Sequence, residues 1–194
     1  MYTGDNYLTE IKSKVLGCER CGLCNTRTNI AIYRGNPRSD IMVISDAPSN
    51  IEDKTGIPMK GPSGSMFIQN LELAGLPLSE YFITNIVMCR PSANRNPNAN
   101  EIESCSYWLS YQLEQIKPKI VITVGRIAAS TLIPETKSMK MNQIEGKLFK
   151  PYLFDFPLIP VLHPSYILRN PSRESSYIAT LKNVVAQCKR IIET

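Results

Sequence analysis

The sequence lacks the features that would place the protein in a membrane or outside the cell. None of its 194 residues belongs to an apolar run approaching the roughly 20 residues of a membrane-spanning helix. The amino terminus lacks the charged and apolar segments of a signal peptide. We therefore expect a cytoplasmic protein that does not associate with membranes.

Internal repeats, low-complexity tracts and linkers are also absent. Hydrophobic residues make up 43% of the chain, a share that is typical of a globular protein rather than a disordered one. This length is sufficient for one domain, residues 1–194, with its own core, and we expect a monomer. The formal net charge of +5 is compatible with a polyanionic partner, although many basic proteins bind none.

Short apolar runs alternate with helical patterns along the chain, which predicts a parallel sheet with helices on both faces. In that architecture ligands bind beyond the carboxyl ends of the strands. Residues 46–64 are predicted to be a turn-rich loop, and residues 138–153 are ambiguous, with a hairpin as one interpretation. The predicted strands are residues 29–33, 41–45, 82–87, 120–124 and 158–162, and the predicted helices are residues 5–16, 63–74, 98–116, a segment opening at Gly125-Arg126, and 174–192.

Three polar residues are predicted to lie at the carboxyl ends of these strands: Asp46, Asn85 and His163. His163 is the only histidine in the chain. A lone histidine is more often a surface residue or a satisfied core residue. Three unrelated polar residues at one rim are a stronger sign of a site than any one of them. After His163 comes Tyr166-Ile167-Leu168-Arg169, an exposed-looking apolar wedge beside an arginine, which is suited to entering a DNA duplex.

Six cysteines in a chain expected to be cytoplasmic favour a metal or cluster over disulfides. Cys18 and Cys21 form one close pair, and Cys89 and Cys105 form a second, distant pair. Four thiolates can hold zinc or an iron–sulfur cluster, and the spacing does not choose between them. Cys24 competes as a ligand, whereas Cys188, on the apolar side of the last helix, is interpreted as a small buried hydrophobe.

Several motifs occur together, in order, from about Cys18 to the end of the chain. They are Cys21-x5-Arg27-Thr28, Gly35-Asn36-Pro37, Glu52-Asp53-Lys54-Thr55-Gly56, Gly61-x2-Gly64, Ile83-Thr84-Asn85-Ile86-Val87-x-Cys89-Arg90-Pro91, Asn94-Arg95 and His163-Pro164-Ser165-Tyr166. On these residues the chain resembles the family 4 uracil-DNA glycosylases of the uracil-DNA glycosylase superfamily.

The resemblance implies an α/β fold: a three-layer sandwich whose central four-stranded parallel sheet is flanked by helices, with an iron–sulfur cluster loop region. It also implies a [4Fe–4S] cluster as cofactor. On the family's pattern the metal ligands are Cys18, Cys21, Cys89 and Cys105, with Cys24 left free.

The implied activity is that of a monofunctional DNA glycosylase in DNA repair. Such an enzyme flips a pyrimidine, uracil foremost, out of single- or double-stranded DNA and hydrolyses its N-glycosidic bond, leaving an abasic site. His163 matches the catalytic histidine that hydrogen-bonds the base O2, and Asn85 matches the asparagine that reads the polar edge of uracil. Asp46 stands where the family usually has a catalytic glutamate. The base pocket implied is Ala47, Glu52, Met59 and Asn85, and the implied DNA-binding residues are Ser63, Gly64, Arg90, Arg95, Ser165, Ile167, Leu168 and Arg169.

The chain departs from the family's pattern around the expected pocket. Met59 replaces a phenylalanine that stacks on uracil, and Ser45 and Ser49 replace glycines. Methionine is flexible and could accept a base of another shape. Two alternatives to uracil excision follow: a glycosylase for a modified pyrimidine such as a phage-type hypermodified cytosine or uracil, and a non-catalytic DNA-binding or polymerase-accessory protein.

Overall fold

The structure is a computed structural model that describes the backbone of residues 4–193 and the side chains of residues 9–193. The predicted domain spans residues 1–194, and its first three residues and Thr194 lie outside the described residues. The eight α-helices of the described part are α1 Gly4–Leu16, α2 Asn50–Thr55, α3 Pro62–Leu73, α4 Ala99–Ile116, α5 Arg126–Leu132, α6 Met141–Ile144, α7 Pro164–Arg169 and α8 Glu174–Ile192. None of these helices is long and apolar enough to cross a membrane.

A five-stranded sheet forms the middle layer. Its strands are β1 Arg34–Gly35, β2 Ile41–Ser45, β3 Tyr81–Asn85, β4 Ile120–Val124 and β5 Leu158–Val161, in the order β1-β3-β2-β4-β5. Strands β2 to β5 are mutually parallel, as expected, and β1 adds a short antiparallel edge next to β3. The prediction of a sheet with four strands was therefore one strand short.

The two central strands, β2 and β4, are buried along their whole length, which explains their continuous apolar sequences. On one face of the sheet, Ile11 and Val15 of α1 and Leu109 of α4 belong to one buried cluster. On the other face, Phe67 of α3 and Leu181 of α8 belong to a second one. The helices on both faces complete the predicted three layers.

Residues 29–33 do not form the strand predicted for them. Their backbone is satisfied in other ways: the Ala31 N–H donates to the Met88 carbonyl at 2.9 Å. The Ile32 carbonyl accepts from Thr84 Oγ1 at 2.9 Å and from Gln112 Nε2 at 3.1 Å. Side chains here take the place of a strand partner, which an apolar pattern cannot reveal.

The segments predicted as loop or ambiguous contain short helices. In residues 46–64, α2 begins after Ser49, whose backbone N–H donates to the Glu52 carboxylate at 2.8 Å. It ends at Gly56, which has a φ of 68°, a conformation that glycine adopts without strain. In residues 138–153, α6 is followed by a single bridge between Phe149 and Leu158, so the hairpin interpretation was largely wrong.

Candidate active site

The three polar residues predicted for the rim lie there together. Ser45 pairs with Asn85 across β2 and β3, so Asp46, the next residue after β2, is adjacent to Asn85. The Ile86 N–H donates to the Ser45 carbonyl at 2.8 Å and thereby extends this pairing. His163 follows β5 at the same end of the sheet and precedes α7. The carboxyl ends of the parallel strands thus form one candidate site.

The Asp46 carboxylate lies against the start of α5. Its Oδ1 accepts the Ala128 N–H at 2.7 Å. A Cβ on Gly125 would lie 2.5 Å from Asp46 Oδ2, so glycine at position 125 is what allows this approach. Burial raises the pKa of Asp46 to about 7, although the amides of Ala128 and Ile127 oppose the rise. The carboxyl group therefore changes its charge near neutral pH.

The imidazole of His163 is held in one tautomer. Its Nδ1 accepts the Ser165 N–H at 3.2 Å and lies 2.7 Å from Ser165 Oγ. Burial lowers the pKa of His163 to about 4, against the opposing charge of Glu52. At neutral pH the ring is therefore uncharged, with its proton on Nε2 because Nδ1 is an acceptor. His163 can donate one hydrogen bond from Nε2 without bringing a positive charge.

The side chain of Asn85 is only 3% exposed, and its Nδ2 has no hydrogen-bond partner in the described part of the chain. A buried donor without a partner costs about 1–3 kcal/mol. Buried polar groups are nearly always satisfied, so an exception at a rim of this kind indicates a ligand. The orphaned amide of Asn85 is therefore the clearest sign of a binding pocket.

Glu52 and Met59 shape the loop beside this pocket. The Glu52 carboxylate accepts the N–H groups of Ser49 at 2.8 Å and Gly61 at 2.9 Å, and it also contacts Ser49 Oγ. Met59 is 6% exposed and has a φ of 55°, a costly conformation for a residue with a side chain. A Cβ on Gly64 would lie 2.4 Å from Met59 Cα. Gly64 is thus required for packing, independently of any phosphate contact. Ala47, the residue after Asp46, is half-buried.

The predicted DNA-binding arginines differ in how their charges are used. The Arg95 guanidinium donates to both carboxylate oxygens of Glu101, at 2.8 and 2.6 Å, so much of its charge is already neutralised. Glu101 in turn accepts the N–H of Asn98, the N-cap residue of α4. Within the described part of the chain, the hydrogen bonds of the Arg90 side chain go to the neutral amides of Asn94 and Asn50. Arg90 is therefore the better candidate for binding a DNA phosphate. Ser63, the other predicted phosphate contact in this region, is half-buried in the first turn of α3.

The wedge predicted after His163 is a short helix, α7, rather than an exposed tip. Ile167 is 1% exposed and packs in the cluster that contains α3 and α8, so the expected exposed wedge does not include it, and its insertion into DNA stays a prediction. Tyr166 and Leu168 are 38% and 45% exposed, and Arg169 is exposed. A helix directs neighbouring residues to different sides, which is why one member of the wedge is buried. Ser165 contacts the His163 ring, a role that its sequence position alone did not reveal.

Four cysteines line one small cavity of about 10 Å³ together with Trp108: Cys18, Cys21, Cys89 and Cys105. Three donors point at their sulfurs. Trp108 Nε1 lies 3.1 Å from Cys18, the Met88 N–H lies 3.4 Å from Cys105, and Arg27 lies 3.6 Å from Cys89.

Two further observations bear on the thiols. Burial raises the pKa of Cys89 to about 11 and that of Cys105 to about 12. Among residues 9–193, no three His, Cys, Asp or Glu side chains are grouped so as to hold a metal ion.

The remaining two cysteines lie outside this cavity. Cys24 lies beside Asn25, outside the cavity lining. Cys188 is fully buried in the core on α8, which confirms its interpretation as a small hydrophobe.

Comparison with known proteins adds an independent finding. The family model described as the uracil DNA glycosylase superfamily matches residues 32–185. A type-4 uracil-DNA glycosylase of Saccharolobus solfataricus is 37% identical over 167 residues, covering 83% of this chain and 77% of that protein. One of Sulfurisphaera tokodaii is 35% identical over 85% of this chain and 77% of that protein. One of Thermotoga maritima is 33% identical over 90% of each.

Proposed function

Because the chain belongs to the type-4 uracil-DNA glycosylases of the uracil-DNA glycosylase superfamily, and is thus a DNA glycosylase, we propose that it excises uracil from DNA. The reaction proposed is extrusion of the nucleotide into the rim pocket, followed by hydrolysis of the N-glycosidic bond to leave an abasic site. The observation that carries the proposal is the buried, unpaired Asn85 amide on the same rim as His163 and Asp46.

Asn85 is assigned to the recognition of the base. Its Nδ2 donates to uracil O4, and its Oδ1 accepts the N3–H of the same base. Cytosine presents an acceptor at N3 and donors at N4, and would need the amide turned over. The pairing with uracil satisfies the donor that is otherwise buried without a partner.

His163 is assigned to the leaving base. Cleavage of the glycosidic bond builds negative charge on the base, and a fixed donor at O2 stabilises it. The acceptor role of Nδ1 toward Ser165 leaves Nε2–H free for this task. A pKa of about 4 means that the ring acts as a neutral donor throughout the physiological range.

Asp46 is assigned to the sugar and the attacking water. Its carboxylate orients a water molecule and favours the positive charge that develops on the sugar. Only the ionised form does this, so activity should rise as the pH passes through about 7, the pKa that burial imposes on Asp46.

The [4Fe–4S] cluster predicted for Cys18, Cys21, Cys89 and Cys105 is part of this proposal. Its support is that all four cysteines line one cavity and that donors from Trp108, Met88 and Arg27 lie close to three of their sulfurs. Such donors stabilise thiolates. A cluster takes one thiolate at each of its four irons, so the sulfurs need not converge on a single ion as they would around zinc. When bound, the cluster would cross-link segments that are distant in sequence.

Iron analysis tests this ligand set. The purified protein should contain about four irons and absorb near 400 nm in the way that [4Fe–4S] proteins do. Replacing Cys24 or Cys188 by serine should leave the iron in place, whereas Cys89→Ser should lose it. A folded, colourless protein with one zinc per chain would contradict the cluster.

A modified pyrimidine is the second candidate substrate, favoured by Met59 at the position where relatives stack an aromatic ring on uracil. Methionine offers a flexible surface instead of a flat one. A non-catalytic accessory role is disfavoured by membership of an enzyme family.

One assay separates these functions. Single- and double-stranded oligonucleotides carrying uracil, thymine, cytosine or modified cytosine are incubated with enzyme, and free base and abasic sites are measured. Release of uracil alone supports the proposal. Release of a modified base with uracil left intact would replace it, and no release from any substrate would refute glycosylase activity. A monomeric, cytoplasmic protein remains the prediction from sequence.

A further inference from the structure

A groove of about 430 Å³ opens beside His163, on a part of the rim to which the proposed reaction assigns no role. Three basic side chains line it: Arg126, Lys140 and Arg173. They come from the start of α5, the segment before α6, and the turn between α7 and α8. Tyr166 adds an aromatic ring that is 38% exposed. Three cations from separate segments converge on one groove although they are distant in sequence.

In the described part of the chain, the three basic side chains of this groove form no ion pair with a carboxylate. Arg126 donates to the carbonyls of Thr136 at 3.0 Å and Lys137 at 2.6 Å, which orients the guanidinium without neutralising it. Lys140 and Arg173 are exposed, and neither forms an ion pair in the described part of the chain. No acidic side chain of that part lines the groove.

Glu145 interacts electrostatically with Arg173 but does not line the groove. Glu145 is half-buried, and burial raises its pKa while Arg173 acts in the opposite sense. One carboxyl group, even when ionised, cannot balance the charges of three cations. The groove therefore presents a net positive surface to an anionic ligand.

We propose that this groove binds the phosphodiester backbone of the DNA strand that carries the target base, on one side of the extruded nucleotide. This inference rests on the proposed function. His163 borders the groove and also faces the leaving base, so a strand whose target base reaches Asn85 passes directly into the groove. Arg90, which follows β3, lies on the other side of the rim and serves the opposite flank. Contacts to phosphate position a strand and read no sequence.

The test is a pair of double variants with equal net charge. Lys140→Gln/Arg173→Gln removes two exposed charges from the groove. Lys150→Gln/Lys182→Gln, the control, removes two exposed charges elsewhere: Lys150 precedes β5 at the opposite end of the sheet, and Lys182 lies more than two turns along α8. Each pair lowers the formal charge from +5 to +3. Arg126 is kept because its bonds hold the chain around Thr136.

DNA affinity is then measured as a function of salt. Log affinity falls linearly with log salt concentration. Each lost phosphate contact makes this fall shallower by about 0.9 on duplex DNA and about 0.7 on single strands. The slope of the groove variant should therefore be shallower than that of the parent by about 1.4–1.8. A slope equal to that of the parent protein, or an equal loss in the control, would overturn the proposal.

Strand polarity gives a second measurement. Uracil oligonucleotides are shortened on the 5′ or the 3′ side of the target, and affinity is measured for parent and groove variant. Shortening one side should weaken the parent and leave the groove variant almost unaffected, because the variant no longer uses that flank. If both truncations weaken both proteins equally, the groove is not on the path of the strand. Binding to oligonucleotides without uracil is measured too, so this result stands even if no uracil is released.

Discussion

The ionisation of Asp46 leads to a prediction that links catalysis to stability. Burial holds its pKa at about 7, against an ordinary value of 3.8. The folded protein therefore binds a proton that the unfolded chain has released, and the ionised form costs folding free energy. Replacement by asparagine keeps an oxygen that can accept the Ala128 N–H but removes the charge. Asp46→Asn should stabilise the protein at neutral pH while it slows excision.

The magnitude follows from the pKa difference of about three units, at 1.36 kcal/mol each. At pH 8 the buried charge costs about 4 kcal/mol of folding free energy. The group is more protonated in the folded state, so its cost is absent below about pH 4, grows as pH rises, and is complete above about pH 7. The gain from Asp46→Asn should thus be large at pH 8 and nearly absent at pH 4.

Catalysis should show the opposite dependence. With a pKa of about 7, Asp46 is about one-tenth ionised at pH 6 and nine-tenths ionised at pH 8, so the single-turnover rate should rise about tenfold between them. His163, with a pKa of about 4, adds no change in this range.

Two measurements test the reasoning on parent and Asp46→Asn proteins. Urea unfolding at pH 4, 6 and 8 measures stability, and rapid-quench assays on a uracil oligonucleotide at pH 6 to 8 measure the rate. The variant should be slower by on the order of 10²-fold and should show no dependence on pH. A parent rate that is flat over this range, or a variant less stable than the parent at pH 8, would refute the assignment of a buried, titrating carboxylate.

Three further predictions concern single side chains. His163→Ala removes the Nε2–H donor and should lower the single-turnover rate by at least about 10²-fold with little loss of DNA affinity, measured by anisotropy; equal losses in both would point to a binding role. Ile167→Ala should cost about 2–5 kcal/mol of unfolding free energy because Ile167 is 1% exposed, whereas Leu168→Ala, at 45% exposure, should leave stability nearly unchanged and weaken activity on duplex DNA. Met59→Phe should maintain or raise uracil excision through stacking worth about 1–3 kcal/mol, and should abolish excision of a bulky modified base if that is the natural substrate; loss of uracil excision with retained folding would contradict a stacking position.

The sequence by itself determined the features that depend on neighbouring residues. The apolar runs of β2, β4 and β5 predicted parallel strands because a strand covered on both faces has no polar alternation. The start of α4 is local in the same way, because Asn98 and Glu101 form a capping box within four residues. The rim position of Asp46 and His163 followed from strand ends alone, since parallel strands place those ends on one side of the sheet.

Only the tertiary structure decided which of these side chains are buried, charged or paired. Ile167 looked like part of an exposed wedge, but α3 and α8, which are distant in sequence, cover it. Arg95 was predicted to contact a phosphate, but the first turn of α4 places the Glu101 carboxylate within hydrogen-bonding distance of its guanidinium. The pKa of Asp46 depends on its burial and on the opposing amides at the start of α5, and the tautomer of His163 depends on the turn into α7. Burial and pKa are set by every group within a few ångströms, and that neighbourhood forms only when the chain has folded.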